Sequence, residues 1–132
     1  MTLFDEVYNT KGLEYVSDGS DVIEKNIDKI DEIVDTYRHV HASSHVECNP
    51  VQERLKERGY VHAGRGAFRD VWHLDDEHVI KVLGSHCNKR ELSYWKECPD
   101  ESRHMLVPIV GADAYDGHWL VMKKAEIPEE RH

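Results

Sequence analysis

The sequence lacks several features that would place it in a membrane or outside the cell. No apolar run approaches the ~20 residues that span a bilayer, which excludes a membrane-spanning helix. Residues 1–6 have neither the basic start nor the apolar core of a signal peptide. Its cysteines, Cys48, Cys87 and Cys98, have unpatterned spacings and predict a reducing compartment without a disulfide framework. We therefore expect a soluble protein, cytoplasmic or enclosed in an assembled particle.

Basic residues are also scarce. The 132 residues include 17 lysines and arginines against 26 aspartates and glutamates, for a net charge of -9. A field of this sign repels phosphate backbones and disfavours nucleic-acid binding. It is typical either of ordinary solubility or of a protein from a high-salt host. The length is that of one domain.

Hydrophobic periodicity predicts two helices in the first part of the chain. Apolar residues at intervals of three and four predict a helix over 21–38 with one apolar stripe. Asn49 and Pro50 then predict the start of a short helix, because asparagine caps helices and proline suits their first position. Gly59 is predicted to end it. The stripe consists of Val22, Ile23, Ile27, Ile30, Val34 and Tyr37.

From Tyr60 onward the period changes to two, which is typical of strands. We predict strands at 60–63, 68–74, 79–83, 107–112 and 118–122, with one helix at 86–98. The Asp116-Gly117 pair indicates a hairpin between the last two strands. The predicted fold class is α+β: a five-stranded antiparallel sheet with one packed helix, preceded by two N-terminal helices. Residues 1–59 would form a helical extension and residues 60–132 a second unit.

Three sequence features in this second unit follow a known pattern. The run Gly64-Arg65-Gly66-Ala67-Phe68-Arg69-Asp70-Val71 matches G-x-G-x-x-G-x-V, with Arg69 in place of the third glycine. A lysine follows in Val79-Ile80-Lys81, and Glu91 lies on the predicted helix. Together with the β-β-β-α-β-β order, these features resemble the N-terminal lobe of the protein-kinase-like fold.

The resemblance implies roles for these residues. Gly64 and Gly66 would let the hairpin backbone cover nucleotide phosphates, Lys81 would meet those phosphates, and Glu91 would hold Lys81 through an ion pair. Residues 123–126 would form the hinge that reads adenine. Simpler interpretations stay open: the glycines serve a hairpin turn, and the ion pair only fixes the helix to the sheet. Arg69 would crowd the loop tip or contact a phosphate.

The 132 residues contain no H-R-D-x-x-x-x-N motif and no D-F-G, which supply the catalytic aspartate and the Mg²⁺ ligands of kinases. We therefore expect a non-catalytic, single-lobe kinase-like module with a binding or structural role, as in a larger assembly such as a virus particle. It would have no cofactor and would associate with a protein partner or with itself. The alternative is a nucleotide-binding module that binds ATP and Mg²⁺, or half of a split phosphotransferase.

A second cluster is rich in potential metal ligands. His39, His41, His45 and Cys48 lie close together in the sequence and offer imidazole and thiolate groups that suit Zn²⁺. Their spacing matches no established zinc signature, and a solvated linker between two helices is the alternative. Among the cysteines, no neighbouring acid–base pair indicates a nucleophile.

Packing expectations complete the sequence-based predictions. We expect apolar surface near Met122 to lack support, and we expect the stripe of helix 21–38 to cover the surface on which a kinase N-lobe rests. The helix would do so within its own chain or by docking on another subunit. The core between sheet and helix 86–98 is predicted to contain Trp95, Leu106, Val107, Ile109 and Trp119.

Overall fold

A computed structural model describes residues 13–15, 19–38, 40, 45–66 and 68–124. It confirms the α+β fold class with N-terminal helices before the main sheet. The strands are β1 Leu13–Tyr15, β2 His62–Arg65, β3 Asp70–His73, β4 His78–Val82, β5 Ile109–Asp113 and β6 Trp119–Lys123. The helices are α1 Gly19–Lys25, α2 Ile27–Thr36, α3 His45–Glu57 and α4 Ser85–Glu97, with a 3-10 helix at Asp100–Met105.

The sheet is antiparallel, with strand order β1-β5-β6-β4-β3-β2. The five predicted strands and the helix at 86–98 are confirmed to within two residues at each end. The short strand β1 extends the sheet beside β5, with Leu13 opposite Asp113. The sequence did not predict this sixth strand, because three residues are too few to show a period.

Both faces of the sheet are apolar and both are covered. Along β6, Trp119 and Val121 belong to one hydrophobic cluster, whereas Leu120 and Met122 belong to another. The first cluster includes buried residues from α1, α2 and α3, and the second includes Leu92 and Trp95 of α4. Alternating residues of a strand point to opposite faces. The sheet therefore lies between the N-terminal helices and α4.

The N-terminal stripe packs within its own chain, one of the two predicted outcomes. Of the stripe residues, Ile23 and Ile30 are fully buried in the cluster that contains Trp72, as is Ile33, which the predicted stripe did not include. This cluster lies on the sheet face opposite α4, whereas Lys81 points to the α4 face. The stripe therefore covers the sheet face opposite Lys81 and α4, and the expectation that it covers the surface of a missing lobe depends on the kinase resemblance and stays a prediction.

The predicted single helix at 21–38 is two helices, separated at Asn26. The Asn26 side chain is buried and donates from Nδ2 to the backbone oxygen of Val22, at 3.0 Å, and to Asp75 Oδ2, at 3.1 Å. Its backbone N–H is shared between the oxygens of Val22 and Ile23, both at 3.2 Å. The contact with the β3–β4 turn thus holds the chain at the break.

The next helix begins earlier than predicted. Helix α3 starts at His45, so Pro50 lies inside it and not at its first position. Proline has no N–H to donate, so the helix forgoes one backbone hydrogen bond at this residue. The buried side chains of Val51 and Leu55 hold α3 on the sheet despite this loss.

The predicted core composition is partly wrong. Trp95 and Ile109 lie in the α4 cluster, and Val107 packs against it. Trp119 lies in the opposite cluster, because its position in β6 points it away from α4. Leu106 is 40% exposed, since it follows the 3-10 helix and precedes β5.

Among the described residues, no helix is both long enough and apolar enough to cross a membrane.

Candidate functional site

Lys81 and Glu91 form the predicted ion pair. Lys81 lies on β4 and Glu91 on α4, and the Lys81 Nζ is 3.0 Å from Glu91 Oε2 and 3.2 Å from Oε1. The side chains are 20% and 26% exposed, so the pair is largely shielded from water. The geometric prediction is confirmed, and the pair ties α4 to the sheet.

A third charged residue completes this cluster. Arg69 donates from Nη1 to Glu91 Oε1 at 2.7 Å and to Asn88 Oδ1 at 3.2 Å. Asn88 is buried and donates in turn to the backbone oxygens of Leu83, at 3.1 Å, and Gly117, at 2.8 Å. A rigid acceptor therefore positions the guanidinium, and the arrangement holds Arg69 against α4.

The cluster places two cations on one carboxylate. Burial raises the pKa of Glu91, but the hydrogen bond from Arg69 and the charge and hydrogen bonds of Lys81 outweigh it, so the pKa lies below its usual value. Glu91 is therefore ionised at neutral pH. The three side chains carry a net charge of about +1, from two cations and one anion.

The two glycines of the motif have room for a side chain, whereas Gly84, outside the motif, does not. A Cβ atom built on Gly64 would meet nothing within 4 Å, and one on Gly66 would meet only the Arg69 backbone oxygen at 4.0 Å. Gly84, which follows β4, has a φ of +54°, and its Cβ would lie 2.6 Å from Arg69 Cγ and 2.8 Å from the Phe68 oxygen. The hairpin tip thus packs against the β4–α4 connection, a contact that the sequence did not reveal.

The region beside the predicted hinge is already covered. Met122 is 8% exposed and lies in one cluster with Val79, Leu92 and Trp95. The expectation of unsupported apolar surface around Met122 is therefore wrong, because the α4 side chains fill that space. Of the predicted hinge 123–126, the last two residues lie outside the described part of the chain.

A buried polar network occupies the opposite face of the sheet. Asp70, with no exposed surface, accepts hydrogen bonds from the Tyr37 hydroxyl at 2.5 Å and from Gln52 Nε2 at 2.8 Å. His62 Nε2 lies 2.5 Å from Asp70 Oδ1, and the Trp72 indole donates to the Tyr37 hydroxyl at 2.9 Å. Burial and the Asp70 carboxylate raise the pKa of Tyr37 well above its usual range. The network joins α2 and α3 to the β2–β3 hairpin.

The predicted metal cluster is only partly described. His39 and His41 lie outside the described residues, and of His45 only its place in α3 is known. Cys48 is buried, and Arg65 donates from Nη1 to its sulfur at 3.1 Å. The zinc hypothesis stays untested.

The sequence analysis did not identify another group of potential metal ligands. Ligand atoms of Asp113, Asp116 and His118 lie within 4.8 Å of one another. The buried Asp113 carboxylate, however, already accepts the backbone N–H groups of Tyr115, Asp116 and His118 at 3.1–3.2 Å. These bonds explain the group as an Asp-centred turn between β5 and β6.

Comparison with known proteins adds no relative. No protein-family model matches the chain, and searches of curated proteins and of solved structures give no match either. The resemblance to the kinase N-terminal lobe stays a prediction that depends on the Gly64–Val71 motif, Lys81 and Glu91.

Proposed function

We propose that the chain is a non-catalytic, single-lobe kinase-like module that serves as a binding or structural unit. The observation that carries the proposal is the position of Arg69. In the kinase pattern a third glycine would stand there and leave room for phosphates. In this chain the Arg69 side chain stands there and bonds to Glu91 and Asn88.

The hydrogen bonds of Arg69 support this proposal. Arg69 contacts Glu91 Oε1 at 2.7 Å, closer than Lys81 does at 3.2 Å. A nucleotide phosphate that approached Lys81 would meet the Arg69 side chain next to it. The guanidinium would have to leave two hydrogen-bond partners to make room, and breaking hydrogen bonds to a charged group is costly.

The packing on the α4 face supports it too. Met122, which directly precedes the predicted hinge, is buried with Leu92 and Trp95. A planar base that occupied the space beside Met122 on this face would have to displace these side chains. Core packing is tight enough that such a displacement carries a large penalty.

A thermal-shift titration with ATP and Mg²⁺ tests the proposal. A ligand at 100 times its dissociation constant adds about 2.7 kcal/mol, or roughly 10 °C in melting temperature for a domain of this size. We expect no saturable shift for the wild type and no phosphoryl transfer to itself or to a generic substrate. A saturable shift or ATP hydrolysis that Lys81→Ala abolishes would overturn the proposal.

One observation favours the alternative, a nucleotide-binding module or half of a split phosphotransferase. The Lys81–Glu91 pair has the geometry that phosphate binding by Lys81 would need. Arg69→Gly restores the third glycine and separates the two functions. A wild-type titration without a shift, combined with a clear shift for Arg69→Gly, would identify Arg69 as the block. Binding by the wild type itself would favour the alternative.

A further inference from the structure

A cavity of about 600 Å³ opens between α2, the end of β4 and the start of α4. Its apolar lining includes Val34, Val40, Val82, Leu83 and Phe68. Phe68, at the tip of the β2–β3 hairpin, is 56% exposed. A concave, mostly apolar site with an exposed aromatic residue in its lining is typical of a binding surface.

An acidic stripe leads along α2 to this cavity. Asp28, Asp31 and Asp35 are spaced by three and four residues, which places them on one side of the helix. The last two also line the cavity, where Arg38 pairs with Asp35 at 2.6 Å. The three carboxylates outnumber the one guanidinium paired with them, so this side of α2 attracts positive charge.

We propose that the cavity binds a basic segment of a partner protein, with one large apolar side chain in the cavity and lysines or arginines along the acidic stripe. The proposal rests on the proposed function in one respect, namely that the chain is a binding module. The stripe from Asp28 to Asp35 is about 10 Å long at 1.5 Å per residue. Asp28 does not line the cavity, so a ligand that contacts the whole stripe has to extend beyond the cavity, as a peptide chain does.

A defined peptide provides the test. The probe is a fluorescein-labelled peptide with one tryptophan between two Lys-Arg pairs, and its anisotropy is followed on titration with the full chain. One comparison peptide has serine in place of tryptophan, and another has glutamates in place of the basic residues. We expect both comparison peptides to bind at least tenfold more weakly than the probe. Added salt should weaken the binding of the probe.

Variants of the protein locate the binding surface. Val40→Trp fills the cavity. The double variant Asp28→Asn with Asp35→Asn removes two negative charges from the stripe. Each of the two proteins should bind the probe at least tenfold more weakly. Asp76→Asn with Glu77→Gln is the matched control, because it removes two exposed charges in the β3–β4 turn, at the opposite end of β4. The control should change the affinity less than twofold.

Cysteine alkylation gives a second measurement that needs no substitution. Cys87 lines the cavity, whereas Cys98, after the end of α4, does not. Bound probe should slow the alkylation of Cys87, read by mass spectrometry, and leave that of Cys98 unchanged. This readout remains valid if Val40→Trp fails to fold.

Several outcomes would overturn this inference. Equal binding of the probe and its serine version would show charge attraction alone, and undiminished binding to Val40→Trp or unprotected Cys87 would place the peptide elsewhere. A dimer seen by sedimentation without peptide, with Cys87 protected in it, would show that a second copy is the occupant. None of these results involves ATP, so a failure here leaves the proposed non-catalytic function standing, and ATP binding would overturn that function alone.

Discussion

Replacing Tyr37 by phenylalanine removes one oxygen atom from the centre of the buried network. That oxygen donates to Asp70 at 2.5 Å and accepts from the Trp72 indole at 2.9 Å. A hydrogen bond to a charged acceptor contributes about 1.5–3 kcal/mol, and leaving a buried donor without a partner costs about 1–3 kcal/mol. Since Asp70 and Trp72 are both inaccessible to water, we expect Tyr37→Phe to lower the free energy of unfolding by about 3–5 kcal/mol.

The chain offers a matched control for this substitution. Tyr60 also donates its hydroxyl to a carboxylate, Glu32 Oε1, at 2.6 Å. The Glu32 side chain is 31% exposed and also pairs with Arg58, so water and Arg58 can replace the lost bond. Tyr60→Phe should therefore cost less than about 1 kcal/mol.

Equilibrium urea denaturation followed by tryptophan fluorescence measures both changes, with circular dichroism as a second probe. The two probes should agree and the slope with urea should stay constant, so that a shift in midpoint reports stability alone. If Tyr37→Phe costs no more than Tyr60→Phe, the Asp70 network does not hold the helices on the sheet, and the reasoning is refuted.

Three further predictions concern packing, backbone conformation and charge. Ile30→Asp should cost several kcal/mol more in unfolding free energy than Ile27→Asp, because Ile30 is fully buried and Ile27 only partly; equal costs in urea would contradict the packing of α2. Gly84→Ala should lower the melting temperature far more than Gly64→Ala, since only Gly84 has a positive φ and close neighbours, and a similar small loss for both would contradict the hairpin contact. The pKa of Glu91 in the folded state is lowered from 4.5, so its contribution to stability is present above that pH and is lost as the pH falls through the folded-state pKa. Glu91→Gln should therefore make stability depend less on pH in acid, as measured by urea midpoints below pH 5. An unchanged pH profile would contradict the ion-pair assignment.

The sequence revealed those parts of the site that depend on local pattern. Lys81 lies within a short apolar run that predicts a strand, and Glu91 lies on a helix that begins a few residues later. The connection between β4 and α4 is short and leaves little freedom in how the helix returns to the sheet. The local sequence pattern was therefore enough to predict that the two residues lie close together. The contact of Arg69 with Glu91 depends instead on how the hairpin tip meets Gly84, which is a tertiary contact without a sequence period.

The same distinction explains the errors in the fold. The stripe from Val22 to Tyr37 has one helical period, yet the helix breaks at Asn26, because that side chain bonds to Asp75, 49 residues away. Alternation in β6 correctly indicates that Trp119 and Leu120 face opposite ways. It does not indicate which helices cover each face, because both faces are apolar and either set of helices could pack on either one.

The covering of both faces limits where a partner can bind. Helices α1–α3 cover one face and α4 the other, so the apolar faces of the central strands β4 and β6 are already buried. The edges of the sheet are the short strands β1 and β2, and short edges offer few backbone groups for strand addition. Among the described residues, the end of the sheet where the β2–β3 hairpin packs against the β4–α4 connection carries the apolar cavity, which opens beside Phe68. Because the two faces are buried and the edge strands are short, this cavity is where we expect the proposed partner to bind.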